Sequence, residues 1–169
     1  MVILIAGASH TGKALFAQRL LENYKYPYFS IDHLKMGLIR SKNTELTSVS
    51  SDDDLISYLW PIVREIIKTV IENKQDLIVE GCYIPFDWKN NFTEKYLNEI
   101  RYVCLVMTES YIKTHFSDIQ LYENVVEDRL FKCKLSQKEL IKENNYNLNI
   151  CKKYGNEYIL INDDYNFTF

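Results

Sequence analysis

The sequence predicts an α/β fold in which helices cover both faces of a mainly parallel β-sheet. Short apolar runs without polar alternation recur along the chain, and stretches with apolar residues at helical spacing separate them. The first pattern is typical of a strand buried on both faces, and the second of an amphipathic helix between parallel strands. The chain has 169 residues, 47% of them hydrophobic, so we expect residues 1–169 to form a single domain with one well-buried core.

Five apolar runs are the predicted strands. Each is short and bounded by polar residues, glycine or proline, as expected for strands in the interior of a sheet. Because a helical stretch follows most of them, neighbouring strands are predicted to run parallel, with helices in a layer on each side. The runs lie at residues 2–6, 26–31, 77–79, 102–107 and 158–161.

The predicted helices alternate with these strands. The first follows Gly12, and the second is expected to begin at Asp32, a good N-cap residue, and to run to about Arg40. Residues 55–71 carry the clearest apolar stripe, after a polar segment that ends in three aspartates suited to a first helical turn. Pro61 either kinks this helix or marks a start near Trp60.

Two further helices are predicted in the second half of the chain. One covers residues 112–126, where His115 shares the apolar face and is expected to pack in the core. The other begins at Ser136, which forms a capping box with Glu139, and ends at Gly155.

Composition excludes several classes of protein. The 20 basic and 23 acidic residues give a formal net charge of −3, so the chain offers no basic field for a nucleic-acid polymer. The four cysteines form no C-x-x-C pair, which argues against a zinc ribbon or a redox dithiol and suits a reducing compartment. No apolar run is long enough to span a membrane, and we expect a cytoplasmic protein.

The strongest motif is an eight-residue segment between the first strand and the first helix. It has the pattern G-x-x-x-x-G-K, in which glycines let the backbone fold around an anion and the helix N-terminus adds positive partial charge. The lysine is expected to bridge the outer phosphates of a nucleotide, and the histidine to occupy a variable position. The predicted phosphate-binding residues are Gly7, Ala8, Ser9, His10, Thr11, Gly12, Lys13 and Ala14.

The last position of this motif departs from the usual pattern. The residue after Lys13 is normally Ser or Thr, whose hydroxyl binds the magnesium ion that accompanies the nucleotide, but here it is Ala14. Magnesium could be held through water and other carboxylates, the chain could bind nucleotide with poor turnover, or Ala14 could be an altered form of an active parent. We expect weakened magnesium handling first, and a nucleotide binder without turnover second.

Polar residues that follow the predicted strands are candidates for a second ligand. In parallel sheets, ligands bind at the carboxyl ends of the strands. Asp32 follows the second strand and Glu80 closes the third, so both carboxylates should face the edge that holds the phosphates. Gly81, Cys82 and Tyr83 come directly after Glu80.

This arrangement resembles the small-molecule branch of the P-loop kinases, which includes nucleoside, nucleotide, shikimate, gluconate and zeta-toxin-like kinases. The resemblance covers the whole chain in layout and the phosphate motif in detail. It implies a three-layer P-loop NTPase fold with a five-stranded, mainly parallel sheet and a helical lid at roughly residues 110–136. It also implies that Asp32 binds the acceptor and takes its proton, and that Glu80 lies near the metal, through water, or near the acceptor. Arg129 would be the lid arginine that neutralises charge on the transferred group, as a third catalytic residue beside Lys13 and Asp32.

Several further residues are candidates for the acceptor site. Arg40 matches an acceptor-site arginine of nucleotide kinases, and Arg64 could bind an anionic acceptor or form a salt bridge instead. His33 could contact the acceptor or lie on the surface. The full predicted acceptor set is Asp32, His33, Arg40, Arg64, Glu80, Gly81 and Tyr83.

The functional hypothesis is an ATP-dependent phosphotransferase that uses Mg²⁺ with ATP and a small hydroxyl- or phosphate-bearing metabolite. The alternative is a nucleotide-binding pseudo-kinase or regulator that has lost turnover with its magnesium hydroxyl. A P-loop nucleotide hydrolase without an acceptor is disfavoured, because the chain has no extended switch region and no convincing aspartate at the Walker-B position.

Overall fold

The computed structural model describes residues 1–121 and 136–162. Its elements alternate as predicted between short strands and helices. In chain order they are β1 (Val2–Gly7), α1 (Lys13–Tyr24), β2 (Tyr28–Ser30), α2 (Ile31–Arg40), α3 (Asp52–Glu72), β3 (Leu77–Glu80), a short 3₁₀ turn (Trp88–Asn91), α4 (Glu94–Leu97), β4 (Ile100–Met107), α5 (Glu109–Leu121), α6 (Gln137–Tyr154) and β5 (Tyr158–Ile161).

The five strands form one parallel sheet in the order β2-β3-β1-β4-β5. The central strand β1 is buried along all six of its residues, which is why its sequence is a continuous apolar run rather than an alternating one. It pairs with β3 from Val2 to Ile5 and with β4 from Val2 to Gly7. The predicted parallel sheet is confirmed.

The two faces of the sheet have separate apolar layers. Leu4 and Val79 pack on the face covered by α3, whereas Ile5 and Ile78 pack on the face covered by α1 and α5. Successive side chains of a strand point to opposite faces. Glu80 follows Val79 and pairs with Ile5, so its side chain lies on the α1 face of the sheet.

The two ends of α6 lie where the sequence predicts them. Ser136 accepts a hydrogen bond from the Glu139 backbone N–H at 3.4 Å, and Gly155 ends α6 with a positive φ of 60°, both as predicted. Helix α3 runs through Pro61 without interruption. Because Pro61 lies on the exposed side of α3, water can bond the carbonyl that proline leaves without a donor.

The start of α2 corrects one prediction. Strand β2 ends at Ser30 and α2 begins at Ile31, so Ser30 occupies the N-cap position and Asp32 lies inside the first turn. Tyr26 and Pro27 lie outside the strand. No loop separates strand and helix here, and for that reason the cap falls two residues earlier than expected. Asp32 is therefore available to make contacts other than a helix cap.

None of the helices in the described residues is long and apolar enough to cross a membrane. Helix α5 covers the start of the predicted lid, whose remaining residues, 122–135, lie outside the described part of the chain. His115, expected in the core, is half-buried in α5, where its ring stacks on Tyr111 with centroids 4.3 Å apart.

Gly81 shows how tightly the end of β3 is packed. A Cβ added there would lie 2.9 Å from Cβ of Ile31, the first residue of α2. Gly81→Ala is expected to lower the free energy of unfolding by about 1–3 kcal/mol, because neither the buried strand end nor Ile31 has room to move. Urea denaturation measures this. The control is Gly37→Ala in α2, where a Cβ meets nothing within 4 Å. There we expect stabilisation of roughly 0.5–1 kcal/mol, and equal effects of the two changes would contradict the packing argument.

Candidate active site

The loop from Gly7 to Gly12 connects β1 to α1 and has the backbone shape of a phosphate cradle. Gly7 has φ 145°, and a Cβ there would lie 2.6 Å from the Leu105 carbonyl oxygen, so the close approach of β4 requires glycine. Gly12 has φ 74°, in the left-handed region that glycine adopts without strain. His10 has φ 66° without being glycine.

One carbonyl organises this loop. The Ala8 carbonyl oxygen accepts hydrogen bonds from the Thr11 hydroxyl and from Nζ of Lys13, each at 2.8 Å. Thr11 is completely buried. These bonds curl the loop at the N-terminus of α1, where backbone N–H groups and the helix dipole favour an anion. These bonds fix the shape of the loop, here called the cradle, and its binding of phosphate stays a prediction.

Lys13 is a buried cation with 6% of its surface exposed. Burial opposes its charge, but the neighbouring Cys82, Glu80 and Asp32 outweigh that effect and raise the pKa of Lys13 above its ordinary value. The lysine is therefore charged at neutral pH, as phosphate binding requires. Glu80 is itself 3% exposed, so the two opposite charges lie together in the interior near the cradle.

Cys82 was not singled out by the sequence. It lies directly after β3 and Gly81, and its Sγ is 3.8 Å from Oγ of Ser9 in the cradle. Cys82 is also close enough to Lys13 to contribute to the raised pKa of that lysine. Its only sequence signal was its position after a predicted strand, a position that brings any side chain to the ligand edge of a parallel sheet.

Lys35 is the second residue that sequence reasoning missed, and it reorganises the predicted acceptor site. Its Nζ donates a hydrogen bond to Oδ1 of Asp32 at 2.5 Å and another to the Tyr83 hydroxyl at 2.7 Å. The lysine side chain is 11% exposed and the aspartate 29%. Burial lowers the pKa of Lys35, but the contacts with Asp32 and Tyr83 more than compensate and raise it. Burial raises the pKa of Tyr83, so its hydroxyl keeps its proton.

A cavity of about 990 Å³ connects this group to the cradle. Its lining includes Gly7, Ala8 and Ser9 from the cradle. The remaining walls come from the end of β1, α2, loop residues 48–49, the start of α3, the segment 82–87 and α6. The predicted acceptor residues Asp32, His33, Arg40 and Tyr83 all line the cavity.

The other predicted site residues lie elsewhere. Glu80 is buried near Lys13 rather than at the cavity wall, and Gly81 packs against Ile31. Arg64 pairs with Glu65 at 2.8 Å on α3 and does not line the cavity, so its salt-bridge alternative is the one that the structure supports. Arg129 lies outside the described residues.

The oxygen atoms near the cradle fit a magnesium ion held mainly through water. Ala14 offers none. Ser30, however, is paired in register with Glu80 and so lies on the same α1 face. Its Oγ is buried without a hydrogen-bond partner among the described residues. Hydroxyl and carboxylate oxygens are the donors that Mg²⁺ prefers, and Mg²⁺ keeps several waters. Within residues 1–121 and 136–162, no three His, Cys, Asp or Glu side chains converge as a metal site.

Comparison with known proteins identifies the fold. The sequence matches no protein-family model and no curated protein. Its structure aligns with a protein from Chloroflexus aurantiacus j-10-fl, provisionally named a kinase, with a TM-score of 0.54 and 14% identity over 97% of this chain and 88% of the other. An uncharacterized protein from Eubacterium ventriosum ATCC 27560 aligns with a TM-score of 0.50 and 13% identity over 96% of this chain and 88% of the other. Shikimate kinase from Bacteroides thetaiotaomicron aligns with a TM-score of 0.49 and 13% identity over 98% of this chain and 90% of the other.

At these identities the likeness concerns the fold and not the substrate. The predicted five-stranded parallel sheet with helices on both faces is confirmed, and the fold is similar to that of the Chloroflexus aurantiacus protein provisionally named a kinase. In this chain the fold places the loop from Gly7 to Gly12 beside a polar cavity.

Proposed function

We propose that this protein is an ATP-dependent phosphotransferase that transfers the γ-phosphoryl group of ATP to a hydroxyl of a small molecule. One observation carries the proposal: the cradle and the Asp32–Lys35–Tyr83 group line the same cavity. A phosphate donor in the cradle and an acceptor held by Asp32 would therefore meet in one space. Phosphoryl transfer needs positioning and charge stabilisation above all, and this geometry supplies both.

Each residue has a defined part in the proposed reaction. The acceptor oxygen attacks the γ-phosphorus, the bond from that phosphorus to the β,γ-bridging oxygen breaks, and ADP leaves. Asp32 orients the acceptor hydroxyl and accepts its proton. Lys35 holds the Asp32 carboxylate in place through its hydrogen bond to Oδ1, and the Tyr83 hydroxyl accepts a second hydrogen bond from Lys35 and so positions that lysine. Lys13 and the cradle N–H groups bind the phosphates and neutralise the charge that develops on them.

Magnesium would supply further neutralisation of phosphate charge, and Glu80 and Ser30 are the residues that would hold it, through water. The hydroxyl that P-loop kinases usually carry at the position of Ala14 is missing, and its absence favours a second candidate function. In that alternative the protein binds nucleotide as a regulator and turns it over weakly or not at all.

A magnesium titration separates the two candidates. We expect ATP to raise the melting temperature of the protein and Mg²⁺ to enhance this shift, while ADP release is seen when suitable acceptors are screened. Ala14→Thr, which restores a hydroxyl at the start of α1, should lower the Mg²⁺ concentration for half-maximal enhancement by about tenfold, since it adds one direct ligand.

The control for this experiment is Ala14→Val, which adds similar bulk without an oxygen and should not improve the response to Mg²⁺. ATP stabilisation that Mg²⁺ leaves unchanged in both the parent and Ala14→Thr, together with no ADP release, would support the nucleotide-binding regulator instead.

A further inference from the structure

One face of α6 forms a wall of the cavity opposite α2. Glu143, Tyr146, Asn147, Ile150 and Tyr154 all line the cavity. Their spacing of three and four residues places them on one side of the helix. The sequence predicts no functional residue in α6. This helix nevertheless contributes as much of the cavity lining as α2 does.

Asn147 is the residue on this face whose structural role is unfilled. It is 9% exposed, and its side chain makes no hydrogen bond with the described residues. The neighbouring Asn144 differs, because its amide accepts from the Met107 backbone N–H and donates to the Leu140 carbonyl, both at 2.8 Å. The Asn147 amide is not among the fully buried side-chain atoms that lack a partner, so it is open to the cavity, where a ligand can bond to it.

Aromatic side chains line the same cavity as this amide. Phe86, from the segment after β3, meets Tyr146 edge to face, with ring centroids 6.3 Å apart. Tyr146 is 58% exposed although it lines the cavity. A half-open aromatic pair that shares a cavity with an amide suits a planar ring, which stacks on one side chain while its polar edge bonds to the amide.

Charge on the cavity walls away from the cradle disfavours an anionic acceptor. Lys35 already neutralises Asp32. The remaining charged side chains of the lining are four carboxylates against two cations, namely Asp52, Asp53, Asp87 and Glu143 against Arg40 and Lys153. Partial removal from water, and after it repulsion by the nearby Asp52, raise the pKa of Glu143 against the lowering effect of Lys13. An added phosphate or carboxylate would increase that repulsion.

We propose that the acceptor is an uncharged nucleoside, whose base contacts Asn147 and Tyr146 and whose sugar hydroxyl reaches Asp32. The amide carries a donor and an acceptor side by side, the arrangement that matches the edge of a nucleobase. A nucleoside also joins a planar ring to hydroxyl groups without a charge. A cavity of about 990 Å³ has room for such a molecule beside the γ-phosphate of the donor. This inference rests on the proposed function.

Calorimetric titration measures binding directly and so tests the proposed nucleoside acceptor without requiring turnover. Adenosine, guanosine, cytidine, uridine and thymidine are titrated into the protein, each in parallel with its 5′-monophosphate. We expect at least one nucleoside to bind, and its monophosphate to bind at least ~10-fold more weakly because of the acidic walls. Asn147→Ala should weaken that nucleoside by about tenfold, the effect of one or two lost hydrogen bonds, while leaving the thermal shift by ATP unchanged.

The matched control is Asn149→Ala, an exposed asparagine of the same helix that does not line the cavity. It should leave nucleoside binding unchanged. Tyr146→Leu is a second test variant that the fold tolerates because the side chain is mostly exposed, and it should also weaken the nucleoside.

The inference is overturned if no nucleoside binds, if a monophosphate binds as tightly as its nucleoside, or if Asn147→Ala behaves like Asn149→Ala. Loss of the inference in this way leaves the proposed phosphotransferase intact as long as ATP binds and another acceptor releases ADP. Absence of any ATP-induced shift would instead remove the proposed function itself.

Discussion

Lys13→Met is expected to weaken ATP binding by ~100-fold, because it removes the charge-assisted hydrogen bonds from Nζ to the outer phosphates and keeps the length of the side chain. Lys13 is the buried cation of the cradle, and its raised pKa keeps it charged. The change also removes the hydrogen bond to the Ala8 carbonyl, so the melting temperature without ligand should fall somewhat. The measurement is the ATP-induced thermal shift of each variant relative to its own ligand-free melting temperature.

A lysine outside the cavity gives the matched control for this variant. Lys113 is 58% exposed on α5 and pairs with Glu109. Lys113→Met should leave ATP binding unchanged and alter stability by less than about 1 kcal/mol. An unchanged ATP shift in Lys13→Met would mean that the loop from Gly7 to Gly12 is not the phosphate site.

Asp32→Asn is expected to cut phosphoryl transfer by ~100-fold or more while sparing ATP binding. The amide cannot accept the acceptor proton, but it keeps the size of the carboxylate and can still accept the hydrogen bond from Lys35. The structure therefore predicts a folded variant with an intact cavity and a specific loss of turnover. Rates of ADP release at saturating ATP, together with the ATP-induced thermal shift, measure the two properties separately.

Asp118→Asn serves as the control, since Asp118 is exposed on α5 and does not line the cavity. It should retain full turnover. Near-normal turnover in Asp32→Asn would remove Asp32 as the proton acceptor and leave it, with Lys35, as a residue that only shapes the cavity.

Most of the fold could be predicted from patterns within short stretches of the sequence. The strands are confirmed because a continuous apolar run has few alternatives to a strand buried on both faces. The cap at Ser136 and the stop at Gly155 are confirmed because each depends on contacts within a few residues. The wrong N-cap at Asp32 has the same origin in reverse: the cap depends on where β2 ends, and pairing with β3 ends it at Ser30.

The candidate site likewise has one part that the sequence predicts and one part that it does not. Its cradle could be read directly, since the glycines, the lysine and the helix start are contiguous and their geometry is local. The acceptor side could not. Lys35 and Tyr83 are 48 residues apart, and Ser9 and Cys82 are 73 apart. Such contacts exist only once the crossovers of the sheet have brought β1, β3 and α2 to one edge.

By itself, the sequence determined the α/β fold and predicted a phosphate cradle with two carboxylates near it, because those features follow from short-range periodicity and backbone conformation. Tertiary structure alone decided which side chains share the cavity: it added Lys35 and the α6 face with Asn147, and it placed Arg64 beside Glu65 instead. The physical reason is that the direction of a side chain on a helix is set by how that helix packs on the sheet, and packing is a property of the whole chain.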